Sequence, residues 1–273
     1  MMKIKALVSL LLIVILTPFM FPIIGNVYAL DNIVEVTGWK ELKDTIDSQN
    51  ENVKIKLKQS QNWNADSTIK INKGQQIEII SEDEIIIERD QGFKNNLIEN
   101  EGTLLLGSNE MNGNIILDGN KENVISDDSL VTSISGKIEI SKNFTLRNNH
   151  STKDGAGLIL KQCTANINGG VISNNTSNGT GGGIYCESSE LTVNNLKILN
   201  NSATYGGGVY ISDNLSTSVF NNVEVKENNT TIGSGGGIYA YGKITISGDN
   251  TIISNNTAQT FRRRLNDKSW WNY

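Results

Sequence analysis

Few residues in this chain have types and spacings suited to catalysis. Asp127 and Asp128 stand side by side, and a pair of carboxylates flanking a glycosidic bond can hydrolyse it, one as acid and the other as base or nucleophile. The one histidine, His150, sits in Asn148-Asn149-His150-Ser151. Arg147, Lys153 and Asp154 place two cations near an acid, a grouping that could remove a proton beside a carboxylate, but no motif gathers further acids around them. The segment from Asp118 to Glu122 is acidic yet departs from the spacing of a calcium loop. Glycine triplets could cradle phosphate, but neither a phosphate-binding lysine nor a helix start follows them. These acids read as solvated loops and turns. The sequence assigns no catalytic residue, no metal ligand and no cofactor. What remains is a recurring aromatic position, Tyr185, Tyr210 and Tyr239. Each follows an apolar residue that should point inward, so the rings should point outward. Aromatic faces pack on sugar rings, which makes these three tyrosines the candidate glycan contacts, with a purely structural ladder as the other reading.

The start of the chain bears on location. Lys3 and Lys5 precede a nearly unbroken apolar run from Ala6 to Ile24, and Val27-Tyr28-Ala29 offers small residues at the first and third places of a cleavage triplet. That order predicts a secretory signal peptide over residues 1–29, which leaves 244 residues after it. No later segment could span a bilayer. The formal net charge of −5 gives no reason to expect a nucleic-acid partner. Both prolines, Pro18 and Pro22, lie in the signal. The remainder is rich in Asn, Gly, Ile, Ser and Thr, a composition suited to short strands joined by tight turns.

The elements that would position the tyrosines come from an internal repeat. Gly181-Gly182-Gly183-Ile184-Tyr185, Gly206-Gly207-Gly208-Val209-Tyr210 and Gly235-Gly236-Gly237-Ile238-Tyr239 follow a weaker copy, Gly155-Ala156-Gly157-Leu158, at steps of 26, 25 and 29 residues. Asparagine pairs at Asn148-Asn149, Asn174-Asn175, Asn200-Asn201, Asn228-Asn229 and Asn255-Asn256 keep steps of 26, 26, 28 and 27. Two independent markers share one period, and between them lie alternating segments such as Leu191-Thr192-Val193 and Ile244-Thr245-Ile246. No segment is long enough for a crossover helix. Each strand must therefore pair with its equivalent one repeat later, which defines a β-solenoid with right-handed connections expected. Stacking at ~4.8 Å would align Ile184, Val209 and Ile238 as an inner ladder. It would also let the asparagine amides bond to their copies above and below.

The repeats G-G-G-[IV]-Y … [IV]-x-x-N-N-[TS] resemble those of right-handed parallel β-helix proteins with polymorphic-outer-membrane-protein-like or adhesin-like repeats, over about residues 140 to 260. The resemblance implies a bacterial or archaeal surface or secreted protein. Its pectin lyase-like fold is shared with enzymes, the pectate lyases and polygalacturonases, which cut acidic polysaccharides. A polygalacturonase also needs a histidine in a glycine-flanked motif and an Arg-x-Lys motif, and neither accompanies Asp127-Asp128. The expected function is therefore a secreted or cell-surface, non-catalytic, adhesin-like protein whose partner is a polysaccharide or a host or cell surface. The alternative is a polysaccharide lyase or glycoside hydrolase of the pectate lyase or polygalacturonase type.

The expected domain is one all-β parallel β-helix over 30–261, with irregular coils over 30–140 and regular repeats over 141–261. Thr37 to Asp47, with Trp39, Leu42 and Ile46 on one face, predicts a short amphipathic helix capping the N-terminal end of the solenoid. Strands are expected at Val53–Leu57, Thr68–Ile71, Ile77–Ile80, Ile85–Ile87, Leu104–Leu106 and Ile115–Leu117. Cys163 and Cys186 fall three residues apart in the repeat frame, roughly 10 Å along a strand, so two separate thiols are expected. Residues 262–273 leave the pattern: Arg262-Arg263-Arg264 stands where the next glycine triplet is due. Read one base later, arginine codons of the AGG or CGG type become glycine codons, Trp270-Trp271 must give two glycines, and the tail can restore the repeat. A frameshifted tail is the expectation, with an uncapped last coil open to self-association.

Overall fold

The computed structural model describes residues 33–49, 52–58 and 62–259. The signal segment and the off-pattern tail lie outside the described residues. Within them the chain winds as a parallel β-solenoid of about seven turns, with one helix, Trp39–Ser48, near the start.

Alternation drives the winding. In Asn52–Leu57, Val53, Ile55 and Leu57 are buried while Asn52, Lys54 and Lys56 face outward. A strand of this length cannot bury its apolar face alone. The chain turns, and the strand pairs in parallel with Gln76–Ser81 one coil on, Val53 against Ile77 and Ile55 against Ile79. Repetition builds three parallel sheets of 15, 7 and 4 strands around one continuous apolar core. The registers give coil lengths directly. Measured down the largest sheet, successive coils take 21, 24, 27 and 34 residues up to Lys137, then 27, 26, 27 and 26.

The predicted capping helix forms, with Trp39, Leu42 and Ile46 buried. The backbone N–H and Oγ1 of Thr37 both bond the Glu41 carboxylate (2.7 and 3.0 Å), which satisfies a free donor at the helix start. All six strands expected in the front half form.

Both repeat markers have physical causes. The first glycine of each triplet takes a positive φ: +65° at Gly155, +68° at Gly181, +59° at Gly206 and +75° at Gly235. The second lies against the next coil, where a Cβ on Gly207 would come within 2.3 Å of the Asn229 carbonyl oxygen. In the asparagine pairs the two members do different jobs. Asn148, Asn174, Asn200 and Asn255 turn the corner at φ of 55–56°. Their successors Asn149, Asn175, Asn201 and Asn228 point inward and are fully buried. Register corrects one pairing: Lys226 aligns with Leu199 and Ser254, so the fourth corner residue is Glu227, at φ +57°, and the inward one is Asn228, not Asn229.

Leu160 aligns with Cys186, which leaves Cys163 three residues along the chain. Both thiols are buried and free. Burial pushes the Cys186 thiol up to about 12 and raises Cys163, so both remain protonated and unreactive at neutral pH.

Candidate functional site

The strand Ile184–Glu187 buries Ile184 and Cys186 completely, so Tyr185 between them projects outward, as the alternation requires. Strand pairing aligns Tyr185 with Tyr210 and Tyr210 with Tyr239. The solenoid spacing then forces ring onto ring. Tyr185 and Tyr210 stack with centroids 5.9 Å apart and planes 10° apart; for Tyr210 and Tyr239 the values are 5.2 Å and 7°. Such pairs contribute about 0.5–1.5 kcal/mol each beyond area burial.

Outward direction does not mean open faces. Tyr185 and Tyr239 are each only 9% exposed, because each ring face inside the ladder is spent on a neighbour. At the lower end the Lys161 ammonium lies 5.5 Å from the Tyr185 ring centroid. It is held there by Glu187 at 3.4 Å, which also accepts from the Tyr185 hydroxyl at 3.3 Å. At the upper end Tyr205 and Tyr241 each stand at 71° to Tyr239, with centroids 5.9 and 5.2 Å away. A strip of open ring faces at Tyr185, Tyr210 and Tyr239 is therefore not what the chain presents. The open aromatic surface belongs to Tyr241, 62% exposed, and Tyr205, 39% exposed. The sequence signal for both was weak. Tyr241 follows Tyr239 by two, which puts it on the same side of the strand, and Tyr205 directly precedes a glycine triplet. Gly233 makes room for the Tyr205 ring, since a Cβ there would sit 2.1 Å from its Cε1. The chain has seven tyrosines, and all five among the described residues belong to this patch.

Burial, then the neighbouring phenols and Asp154, push the Tyr210 phenol up to about 12. Tyr239 is raised for the same first reason, helped by a hydrogen bond with Tyr241. Tyr185 is raised by burial. The patch is therefore un-ionised at neutral pH, a surface of phenol hydroxyls and electron-rich rings.

The acids weighed for catalysis are occupied elsewhere. Asp154 Oδ1 accepts from the backbone N–H and hydroxyl of Thr180 at 2.6 and 2.8 Å, which ties one coil corner to the next. Asp118 holds Arg147 at 2.7 Å and accepts from Asn148. Asp128 takes Lys153 at 3.3 Å, and Asp127 accepts from Thr152 at 3.4 Å. His150 meets only the Asn178 side chain, at 3.1 Å. The structure does not bring these groups around a common cleft. Among the described residues no three His, Cys, Asp or Glu are grouped to hold a metal, and no helix is long and apolar enough to cross a membrane.

Comparison with protein-family models, with curated proteins and with solved structures finds no match for this chain.

Proposed function

We propose that this is an exported, non-catalytic β-helix protein of the adhesin-like kind, which holds a carbohydrate on a cell or host surface through its tyrosine patch. The observation that carries the reading is the convergence of five tyrosines from three coils on one outer face, two of them with open rings. An aromatic cluster of that exposure on a rigid scaffold suits sugar rings, whose C–H faces pack on π faces. A solenoid supplies that rigidity, because each coil is fixed by its neighbours. Export rests on the basic, apolar and small-residue order of residues 1–29.

The test is binding of the exported chain to an array of glycans, followed by Tyr205→Ser and Tyr241→Ser. These two variants leave the packed ladder in place, so the coil should keep its thermal midpoint while affinity falls about tenfold for each lost stacking surface. Unchanged affinity for a proven glycan would remove the patch from the reading. Release of unsaturated oligosaccharides from pectin would instead favour a polysaccharide lyase.

A further inference from the structure

We infer that the open end of the tyrosine patch selects glycans carrying positive charge, namely protonated amino sugars, over neutral or acidic ones. The inference rests on the glycan reading above and deepens it.

The molecule supplies its own precedent. At the lower end of the ladder a primary ammonium, Lys161 Nζ, lies 5.5 Å from the Tyr185 ring centroid, within the distance at which a cation is drawn to an aromatic face. A carboxylate, Glu187, completes that arrangement at 3.4 Å. At the upper end three rings meet, Tyr239 with Tyr205 and Tyr241 both at 71° to it. Rings set at such angles offer faces and edges in more than one direction around a guest. The chain brings no ammonium of its own to this end in the matching column: Lys161 aligns with Glu187, whose successors by register are Ser212 and Tyr241. The position filled by lysine below is thus filled by an open tyrosine above.

The surrounding charge points the same way. Asp154 and Glu187 lie close enough to act electrostatically on the Tyr185 phenol, and Asp154 on Tyr210. An acidic polysaccharide would meet repulsion there, and a neutral one would gain only ring packing. An amino sugar combines both attractions, its ring face on Tyr241 or Tyr205 and its ammonium over a π face. No bond is made or broken.

The experiment titrates the full chain with oligomers of glucosamine and of N-acetylglucosamine of equal length, which share a ring and differ in charge. The charged oligomer should bind about tenfold tighter, the scale of a partly desolvated cation–π contact. The preference should vanish as pH is raised until the amine is neutral. It should also shrink in Tyr205→Ser and Tyr241→Ser while persisting in Lys54→Ala, a charge change on a distant face. Equal binding of the two oligomers overturns the inference and leaves the glycan reading standing. A preference that survives both tyrosine substitutions overturns it as well, since net charge alone would then explain it. Binding of neither oligomer, with tight binding of another glycan on the array, overturns the inference alone. Binding of no glycan at all removes both.

Discussion

Residues 33–140 and residues 141–259 wind the same solenoid with different side chains. In the front half the outer columns are charged. Lys54 pairs with Glu78 at 2.9 Å, Lys56 with Glu82 at 2.8 Å and Lys70 with Glu99 at 3.4 Å, each across neighbouring coils. In the back half the corresponding outer column is an amide ladder, with Asn194 donating to Asn168 at 3.0 Å and Asn221 to Asn194 at 3.3 Å. Inside, the front is mostly Ile and Leu with one buried cation, whereas the back carries a run of buried asparagines and outward tyrosines. Opposite charges need only be near each other, so the front tolerates coils of 21 to 34 residues. Amides and stacked rings need the same residue at the same height in every coil, and the back keeps 26 or 27. The demand for register is what makes the back half periodic and the front half not.

That contrast can be broken most forcefully at the inner asparagine ladder. Asn201 Oδ1 accepts from the Asn175 backbone and side chain at 3.0 and 3.1 Å, and its Nδ2 donates to Ile172 O and Asn228 Oδ1, both at 3.0 Å. Asn201→Ala strands these buried partners, each at about 1–3 kcal/mol. A loss on the order of 4 kcal/mol is expected as a lower urea midpoint. A loss below about 1 kcal/mol would mean that water replaces the amide and that the ladder is dispensable.

The front half has one comparable point. Arg89 is fully buried without a carboxylate ion-pair partner. It donates to Asn95 O, to Ser129 O at 3.5 Å and to Asn149 Oδ1 at 3.2 Å, and its guanidinium carbon lies 5.8 Å from the Phe93 ring centroid. Burial lowers its pKa to about 10 against the pull of Asp128. Because it reaches Asn149, it terminates the back half's amide ladder from the front. Arg89→Ala should cost about 3 kcal/mol, through stranded acceptors and a lost side-chain volume, and thermal unfolding checks it.

Alkali should separate the halves by a smaller amount. The ladder phenols have folded pKa values above the ordinary ~10 of an unfolded tyrosine. Their contribution is therefore complete below about 10 and is lost as pH rises through the folded value, about 12 for Tyr210. A phenolate absorbance titration should show late, cooperative ionisation over that window, and Tyr210→Phe should remove part of it. Gradual ionisation centred at the ordinary value would show that the rings are not packed.

The smallest effect belongs to the charged columns. Lys54→Ala removes a partly exposed pair and should change stability by less than about 1 kcal/mol, with the difference erased by added salt. A salt-resistant loss several times larger would show that the front half depends on its ion pairs as the back depends on its amides.

The sequence by itself determined the winding. Glycine triplets and asparagine pairs at one period, with alternating apolar residues between them, leave a chain free of proline after the signal no other way to bury its apolar faces. The capping helix was equally readable, since Trp39, Leu42 and Ile46 fall on one face whatever lies beneath. The tertiary structure decided what depends on height along the axis. Only register shows that Glu227, not Asn228, turns the fourth corner. Only stacking shows that outward Tyr185, Tyr210 and Tyr239 spend their faces on one another, leaving Tyr205 and Tyr241 to meet a ligand. Alternation along one strand says which way a side chain points. What then covers it is set by the coils above and below, some 26 residues away in the chain.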